Sequence, residues 1–196
     1  MPKVLSEKQV DRFHREGFIT PIPVLSEDEV AKYRAQLEAF EAKFPDDRRK
    51  LKSKSHLLCP WVDEMARNDR ILDVYEDLIG PNILCYSMAF RIKEPDGKTF
   101  AGWHQDGAYN PIKPILAIGA LALSECSVST GCLNVIPGSH KGGTLPHEDT
   151  CDPDSILSRG QYITEDFDKS KAVDIELKPG EIGIFYSEII HGSRVN

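Results

Sequence analysis

The chain has 196 residues, 40% of them hydrophobic and 28% charged, which is enough for one folded domain with its own core. Its net charge of -7 argues against binding to nucleic acid or anionic membranes, because both depend on neutralising phosphates. The longest apolar stretch, residues 115–123, is too short to cross a bilayer, and the first residues contain no signal peptide. Composition therefore predicts a cytoplasmic, single-domain protein that acts on neither nucleic acid nor membrane.

The N-terminal part of the chain is predicted to be mainly helical. Ser6 and Gln9 have the spacing of a capping box, and Gly17 ends the helix that they begin. A short extended segment is predicted over residues 19–25. Ser26 then begins a second helix, and a third is expected over residues 69–79.

Beyond Pro81 the pattern favours strands separated by turns rich in Gly, Pro and Ser. Helices followed by strands predict an α+β protein, with a helical layer over residues 1–80 and a jelly-roll type of sheet over residues 81–196. The expected strands cover residues 83–92, 115–123, 134–136, 172–177 and 182–186.

A run of basic residues interrupts the acidic average. A solvated loop would explain it, and so would a site for an anionic group such as a carboxylate or a coenzyme A phosphate. The run contains too few aromatic residues for a nucleic-acid site. It consists of Arg48, Arg49, Lys50, Lys52 and Lys54.

The segment Trp103–Asp106 contains a His-x-Asp pair. On an extended strand His104 and Asp106 point to the same face, because side chains alternate with a period of two. Nitrogen and oxygen donors together suit a divalent transition metal, and a second histidine would complete a facial triad with open metal positions. His191 is the favoured third ligand because it follows a segment predicted to run extended from Ile182. The other candidates are His14, His56, His140 and His147.

The order of the motifs resembles the phytanoyl-CoA dioxygenase family of Fe(II)- and 2-oxoglutarate-dependent oxygenases. The matching segments include VDRFHREGFI, SMAFRIKEP, WHQDGAYNP, TGCLNVIPGSH and LKPGEIGIFYSEIIHGS. The resemblance implies a double-stranded β-helix beneath the helical layer, with iron held by His104, Asp106 and His191. It also implies that dioxygen and 2-oxoglutarate are consumed, that succinate is formed, and that an unactivated C–H bond of a small molecule is hydroxylated.

The resemblance extends to residues around the iron. Met88, Gln105 and Ser193 match positions that contact 2-oxoglutarate, as does Lys54, for which Lys52 is an equally available neighbour. Related halogenases have Gly or Ala in place of the carboxylate, so Asp106 favours hydroxylation over halogenation. Residues expected on the substrate side are Tyr109 and Arg159.

The family anchors the far carboxylate of 2-oxoglutarate with an arginine on the strand after the second ligand histidine. The sequence stops at Asn196, and Arg194 would point away from the face that His191 shares with residue 193. We therefore expect a chain that lacks its last strand, cut from a longer enzyme. The alternatives are a cupin-like protein that binds metal without turnover and, less favoured, a halogenase-type oxidase.

Overall fold

The computed structural model describes residues 2–110, 112–114 and 116–196. The chain divides into two compact units. The helical unit contains the residues up to Val10 and Val24–Ile92, and the sheet unit contains Asp11–Pro23 and Lys93–Asn196. The single domain expected over residues 1–196 stays a prediction. Within the described residues, every helix is too short or too polar to span a membrane.

Three of the four α-helices begin close to where the sequence predicts, whereas the third in chain order, Pro60–Ala66, is not among the predicted helices. Ser6 and Gln9 form the expected capping contacts, and Ser26 caps the second helix reciprocally with Glu29. Two 3-10 helices, Pro45–Lys52 and Ser55–Leu57, lie between the second and third α-helices. The α-helices are α1 (Glu7–Glu16), α2 (Glu27–Lys43), α3 (Pro60–Ala66) and α4 (Asp69–Ile79).

The basic run forms the first of these 3-10 helices and the turn after it. Arg48 pairs with Glu41 at 2.5 Å, and Lys50 pairs with Asp47 at 2.8 Å. Both basic side chains are about half exposed to solvent. These ion pairs agree with a solvated surface segment.

The prediction of a strand over residues 83–92 is wrong, because the structure contains no strand there. Phe90 N–H donates to the Leu51 carbonyl, and the Met88 carbonyl accepts from the N–H of Ser55. The hydrogen bonds of this segment thus go to irregular and 3-10 backbone, which does not form the regular ladder of a β-sheet. Met88, Phe90 and Ile92 of this segment pack against a cluster in the helical unit made of Leu37, Leu51, Cys59 and Val62.

Nine strands are described, and all their ladders are antiparallel. They form three sheets with the orders β1-β8-β3, β2-β9-β4-β7 and β5-β6. In chain order they are β1 (Phe18–Pro23), β2 (Ala101–His104), β3 (Ala117–Leu121), β4 (Leu133–Val135), β5 (His147–Asp149), β6 (Gln161–Ile163), β7 (Val173–Ile175), β8 (Glu181–Tyr186) and β9 (His191–Ser193).

The strands predicted over residues 115–123, 134–136, 172–177 and 182–186 correspond to β3, β4, β7 and β8, although Ile115 lies outside the described residues. The segment predicted to run extended from Ile182 stops earlier, because Ile189 N–H turns back onto the Tyr186 carbonyl. The α+β class is confirmed. Closure of the sheets as a jelly roll, and the missing last strand, stay predictions.

The core of the sheet unit lies between β8 and the sheet that contains β9. Phe18, Val135, Ile175, Phe185 and Ile189 form one buried cluster with at most 3% of each side chain exposed. Ile189 ends the turn between β8 and β9, so its burial anchors the chain just before His191. This packing places β9 beside β2 and β4.

Candidate metal centre

Two neighbouring strands supply the first and third residues of the predicted triad. β2 and β9 pair antiparallel, and His104 lies directly opposite His191. The side chains of cross-strand partners lie on the same face of a sheet, so the two imidazoles meet. Their ring centroids are 4.1 Å apart.

Asp106 reaches the same point from just beyond the end of β2. Gln105 is still extended, with φ -128 and ψ 119, so Asp106 returns to the face of His104 as the spacing predicts. A 3-10 turn, Asp106–Ala108, begins at the carboxylate. The N–H of Gly107 donates to the Ser187 carbonyl and ties this turn to the segment before β9.

The three side chains converge closely enough to share one metal ion. His104 Nε2 lies 3.4 Å from Asp106 Oδ1, and His191 Nε2 lies 3.8 Å from Asp106 Oδ2. One donor atom from each residue falls within 4.8 Å of the others. Both histidines are 3% exposed, whereas about a third of the Asp106 side chain faces solvent. Two imidazoles and one carboxylate are the donor set that non-heme Fe(II) sites use.

Hydrogen bonds set the tautomer of both histidines. His104 Nδ1 donates to the Gly102 carbonyl at 2.8 Å, and His191 Nδ1 donates to the Ile189 carbonyl at 3.0 Å. Each Nε2 therefore carries the lone pair, which is the form that binds metal. Burial, followed by the neighbouring His104, lowers the pKa of His191 to about 4. A neutral imidazole at this position is ready to bind a cation.

Two of the residues predicted to contact cosubstrate lie within the sheet unit. The Gln105 side chain is fully buried, and its amide bonds to the backbone of Gly143, Leu145 and Glu188. Ser193 Oγ accepts a hydrogen bond from Lys93 Nζ at 2.8 Å. Direct contact of either residue with 2-oxoglutarate stays a prediction.

The other two lie in the helical unit. Lys54 adopts a left-handed conformation with φ 50, and its Nζ lies 5.5 Å from the centroid of the Tyr86 ring. The Met88 side chain packs on the apolar cluster of that unit. Their cosubstrate contacts, and the choice between Lys52 and Lys54, stay predictions.

The two residues predicted on the substrate side come together in one cleft of about 480 Å³. The Arg159 guanidinium stacks on the Tyr109 ring, 4.6 Å from its centroid, and lies 3.5 Å from the carboxylate of Asp149. The Tyr109 hydroxyl is buried without a hydrogen-bond partner among the described residues. The remaining lining includes His147 and Glu148.

Arg194 points away from the metal centre, as the strand period predicts. Its guanidinium pairs with Asp174 at 2.9 Å. Sequence reasoning missed Lys93, whose ammonium donates to the Gly131 carbonyl, Ser193 Oγ and the Arg194 carbonyl. Burial lowers the pKa of Lys93 to about 8. It follows directly on the 83–92 segment, between Ile92 and Glu94, and this sequence context gave no sign of a buried ammonium.

Sequence reasoning considered His147 only as a candidate third ligand and missed its contact with Gln105. The residue begins β5, and its Nε2 accepts the backbone N–H of Gln105 at 2.9 Å. Residue spacing alone does not reveal a contact between positions so far apart in the chain.

Comparisons with known proteins identify a family for this chain. A family model described as Phytanoyl-CoA dioxygenase (PhyH) matches residues 13–196. A "Probable phytanoyl-CoA dioxygenase" of Caenorhabditis elegans is 30% identical over 146 residues, 70% of this chain and 46% of that protein. A "Probable alpha-ketoglutarate-dependent hypophosphite dioxygenase" of Stutzerimonas stutzeri is 28% identical over 145 residues, 72% of this chain and 50% of that protein.

The fold is shared with a solved structure as well. The apo structure of ThoJ, a non-heme monooxygenase, superposes with a TM-score of 0.84 at 26% identity, over 96% of this chain and 71% of that one. The chain spans about half the length of the two curated relatives named above. The family model, by contrast, matches nearly the whole of this chain. The chain belongs to the phytanoyl-CoA dioxygenase family.

Proposed function

We propose that the protein is an Fe(II)- and 2-oxoglutarate-dependent dioxygenase that hydroxylates a small molecule. The observation that carries the proposal is the convergence of His104, Asp106 and His191, with donor atoms within 4.8 Å of one another. Membership of the family and the 2-oxoglutarate-dependent enzyme among the relatives support the same chemistry.

The chain's own contribution is to hold and orient the reactants. His104, His191 and Asp106 would hold the iron on one side and leave its other positions to the cosubstrate and dioxygen. Iron with 2-oxoglutarate and dioxygen supplies the oxidising power for C–H hydroxylation, and 2-oxoglutarate becomes succinate. The buried histidine pair excludes water on the protein side. The Asp106 carboxylate occupies the ligand position that a halogenase would leave to halide, which favours hydroxylation.

Cosubstrate binding is proposed at the residues that match the family. The Ser193 hydroxyl already accepts from Lys93, so its own proton is available to donate to a carboxylate. Lys54 would supply positive charge and Met88 an apolar contact, while Gln105 lies between two iron ligands. We also propose that the sheets close as a double-stranded β-helix and that the enzyme works in the cytoplasm.

We place the substrate in the cleft that contains Tyr109 and Arg159. Its volume of about 480 Å³ suits a small polar molecule better than a whole acyl-CoA. Ala108 and Tyr109 lie two and three residues after Asp106, so the cleft begins near the proposed metal centre. The buried Tyr109 hydroxyl lacks a hydrogen-bond partner among the described residues, and a polar substrate would provide one.

The proposal is tested by succinate formation from 2-oxoglutarate, with Fe(II) and a panel of amines, phosphonates and acyl-CoA thioesters. We expect succinate that depends on both iron and dioxygen, and hydroxylated product from a small polar compound. Iron-loaded protein that binds 2-oxoglutarate but makes no succinate with any compound would instead indicate a metal-binding protein without turnover. A halogenated product would show that the assignment of Asp106 to hydroxylation is wrong.

A further inference from the structure

The backbone N–H of Gln105 lies between the two ligands of the His-x-Asp pair and has no partner in the sheet. β2 ends at His104, and the register would place Ile190 opposite Gln105. Ile190, however, accepts from Ile136 N–H and donates its own N–H to Ser139 Oγ. A buried N–H without a partner is costly, so this one needs an acceptor from elsewhere in the fold.

That acceptor is an imidazole. His147 Nε2 lies 2.9 Å from the Gln105 nitrogen, and His147 Nδ1 donates to the Leu145 carbonyl at 2.7 Å. The second bond fixes the tautomer and leaves the lone pair on Nε2. His104 and His191 use the same local arrangement, each donating Nδ1–H to the carbonyl two residues earlier. Those two direct Nε2 towards Asp106, whereas His147 directs it to the peptide between the ligands.

The Gln105 side chain reinforces this attachment. Its Nε2 donates to the carbonyls of Gly143 at 2.9 Å and Glu188 at 2.7 Å, and its Oε1 accepts from Leu145 N–H at 2.8 Å. The residue is thus joined to the segment that contains His147 and to the turn before β9. Since its side chain is fully buried, water does not replace any bond that is lost.

We propose that His147 is a positioning residue of the metal centre: by holding the Gln105 peptide, it fixes the directions in which His104 and Asp106 project. The inference rests on the proposed metal site and adds a residue that the ligand set does not contain. His147 contacts no metal ligand side chain through hydrogen bonds, because both of its ring nitrogens are bonded to backbone. The Tyr109 ring packs edge-on against it, 5.5 Å between centroids, and limits its rotation.

Two amide substitutions at His147 distinguish a role in positioning the metal ligands from a general effect on the stability of the protein. In His147→Gln the longer side chain places a carbonyl oxygen near the original Nε2, so the bond to Gln105 is kept. In His147→Asn the shorter amide reaches only the position of Nδ1, so the bond to the Leu145 carbonyl is kept and the bond to Gln105 is lost. His140→Asn is the matched control, because His140 bonds to the His14 carbonyl and stacks on Tyr186.

The measurement is cobalt(II) binding to metal-free protein, followed by calorimetry and by the visible spectrum of the bound ion. We expect His147→Asn to weaken affinity about 10- to 100-fold and to change the spectrum, as loss of groups that orient metal ligands does. His147→Gln and His140→Asn should stay close to the unsubstituted protein. The idea is overturned if His147→Asn melts at a lower temperature yet binds cobalt with unchanged affinity and spectrum, or if the Gln and Asn variants are equally weak.

The outcome is separable from the test of the proposed function. If the cobalt pattern is as expected but iron-loaded protein forms no succinate, the positioning role stands and the dioxygenase proposal fails. If the unsubstituted protein does not bind cobalt, both fail together. If succinate forms and the His147→Asn variant binds cobalt normally, only the positioning role is wrong.

Discussion

The metal centre consists of side chains whose orientation is set before any ion binds. His104 and His191 each donate Nδ1–H to the carbonyl two residues earlier. Asp106 begins a turn that a hydrogen bond from the N–H of Gly107 joins to the segment before β9. Pre-set ligands lose little conformational freedom on binding, which favours affinity. The site therefore depends on backbone geometry as much as on ligand identity.

Removing the carboxylate tests the ligand set. We expect Asp106→Ala to lower Fe(II) affinity by more than about 100-fold, beyond the usual effect of losing an outer partner of a ligand, because one of three donors is gone. Calorimetry under nitrogen measures this. Asp166→Ala, at an exposed aspartate of the same unit, serves as the control and should bind normally. Equal affinities for the two variants would exclude Asp106 as a ligand.

The buried His191 makes the stability of the metal-free protein depend on pH. The pKa of His191 is about 4 in the folded protein and 6.5 in an unfolded chain. Below pH 6.5 the unfolded chain therefore binds a proton at this residue, while the folded chain stays unprotonated there down to about pH 4. The free energy of unfolding should fall between pH 6.5 and pH 4, by about 3 kcal/mol from this residue. Chemical denaturation across that range measures it.

His191→Gln provides the comparison for the pH series. It should retain a smaller dependence, from His140 and His147, whose pKa values burial also lowers, and from carboxylates such as Glu29, whose pKa the Ser26 backbone N–H lowers to about 2. If the free energy of unfolding changed equally with pH in the unsubstituted protein and in His191→Gln, the effect could not be assigned to His191.

The convergence of His104, Asp106 and His191 could be predicted from sequence, because the His-x-Asp spacing is local and the family resemblance includes His191. His104 and Asp106 are two residues apart on an extended segment, and His191 follows a strand. The attachment of the intervening peptide to His147 could not be predicted, because it depends on how β5 lies against the end of β2. Hydrogen bonds between distant backbone and side-chain groups have no signature in residue spacing.

At the scale of elements, helix α2 shows how a local signal fixes a boundary. The Ser26 hydroxyl accepts from Glu29 N–H at 3.3 Å, and the Glu29 carboxylate accepts from Ser26 N–H at 2.7 Å. Both bonds satisfy backbone donors that the first turn leaves unpaired.

We expect Ser26→Ala to lower the free energy of unfolding by about 1 kcal/mol, because the N-terminal turn of α2 loses its cap. Urea denaturation of the purified protein measures the change. Ser124→Ala, at another exposed serine, should be within about 0.5 kcal/mol of the unsubstituted protein. A loss at Ser124 equal to that at Ser26 would show that the cap contributes nothing specific.

The presence of partner strands distinguishes one confirmed strand prediction from the prediction that is wrong. Residues 182–186 are apolar and pair with β1 on one side and β3 on the other. Residues 83–92 are similarly apolar, but their hydrogen bonds go to Leu51, Ser55 and other non-strand positions. Only Met88, Phe90 and Ile92 pack on the apolar cluster, and the tertiary fold decides whether an apolar run becomes a strand.

At the scale of the molecule, helices precede antiparallel sheets, and the candidate metal centre lies in the sheet unit. The α+β class followed from the order of patterns along the chain. The boundary of the helical unit did not follow from the sequence. This unit extends to Ile92 instead of residue 80, because the 83–92 segment, which was predicted to be a strand of the sheet, belongs to it. The acidic net charge is compatible with the small-molecule enzyme proposed above.

The central claim is that three side chains hold an iron that in turn binds 2-oxoglutarate. Anaerobic calorimetry of 2-oxoglutarate into iron-loaded and metal-free protein tests it most directly. We predict that each chain binds one iron, and that 2-oxoglutarate binding requires this iron and disappears in Asp106→Ala. Binding of 2-oxoglutarate with equal affinity in the absence of iron, or no binding to the iron-loaded protein, would contradict it.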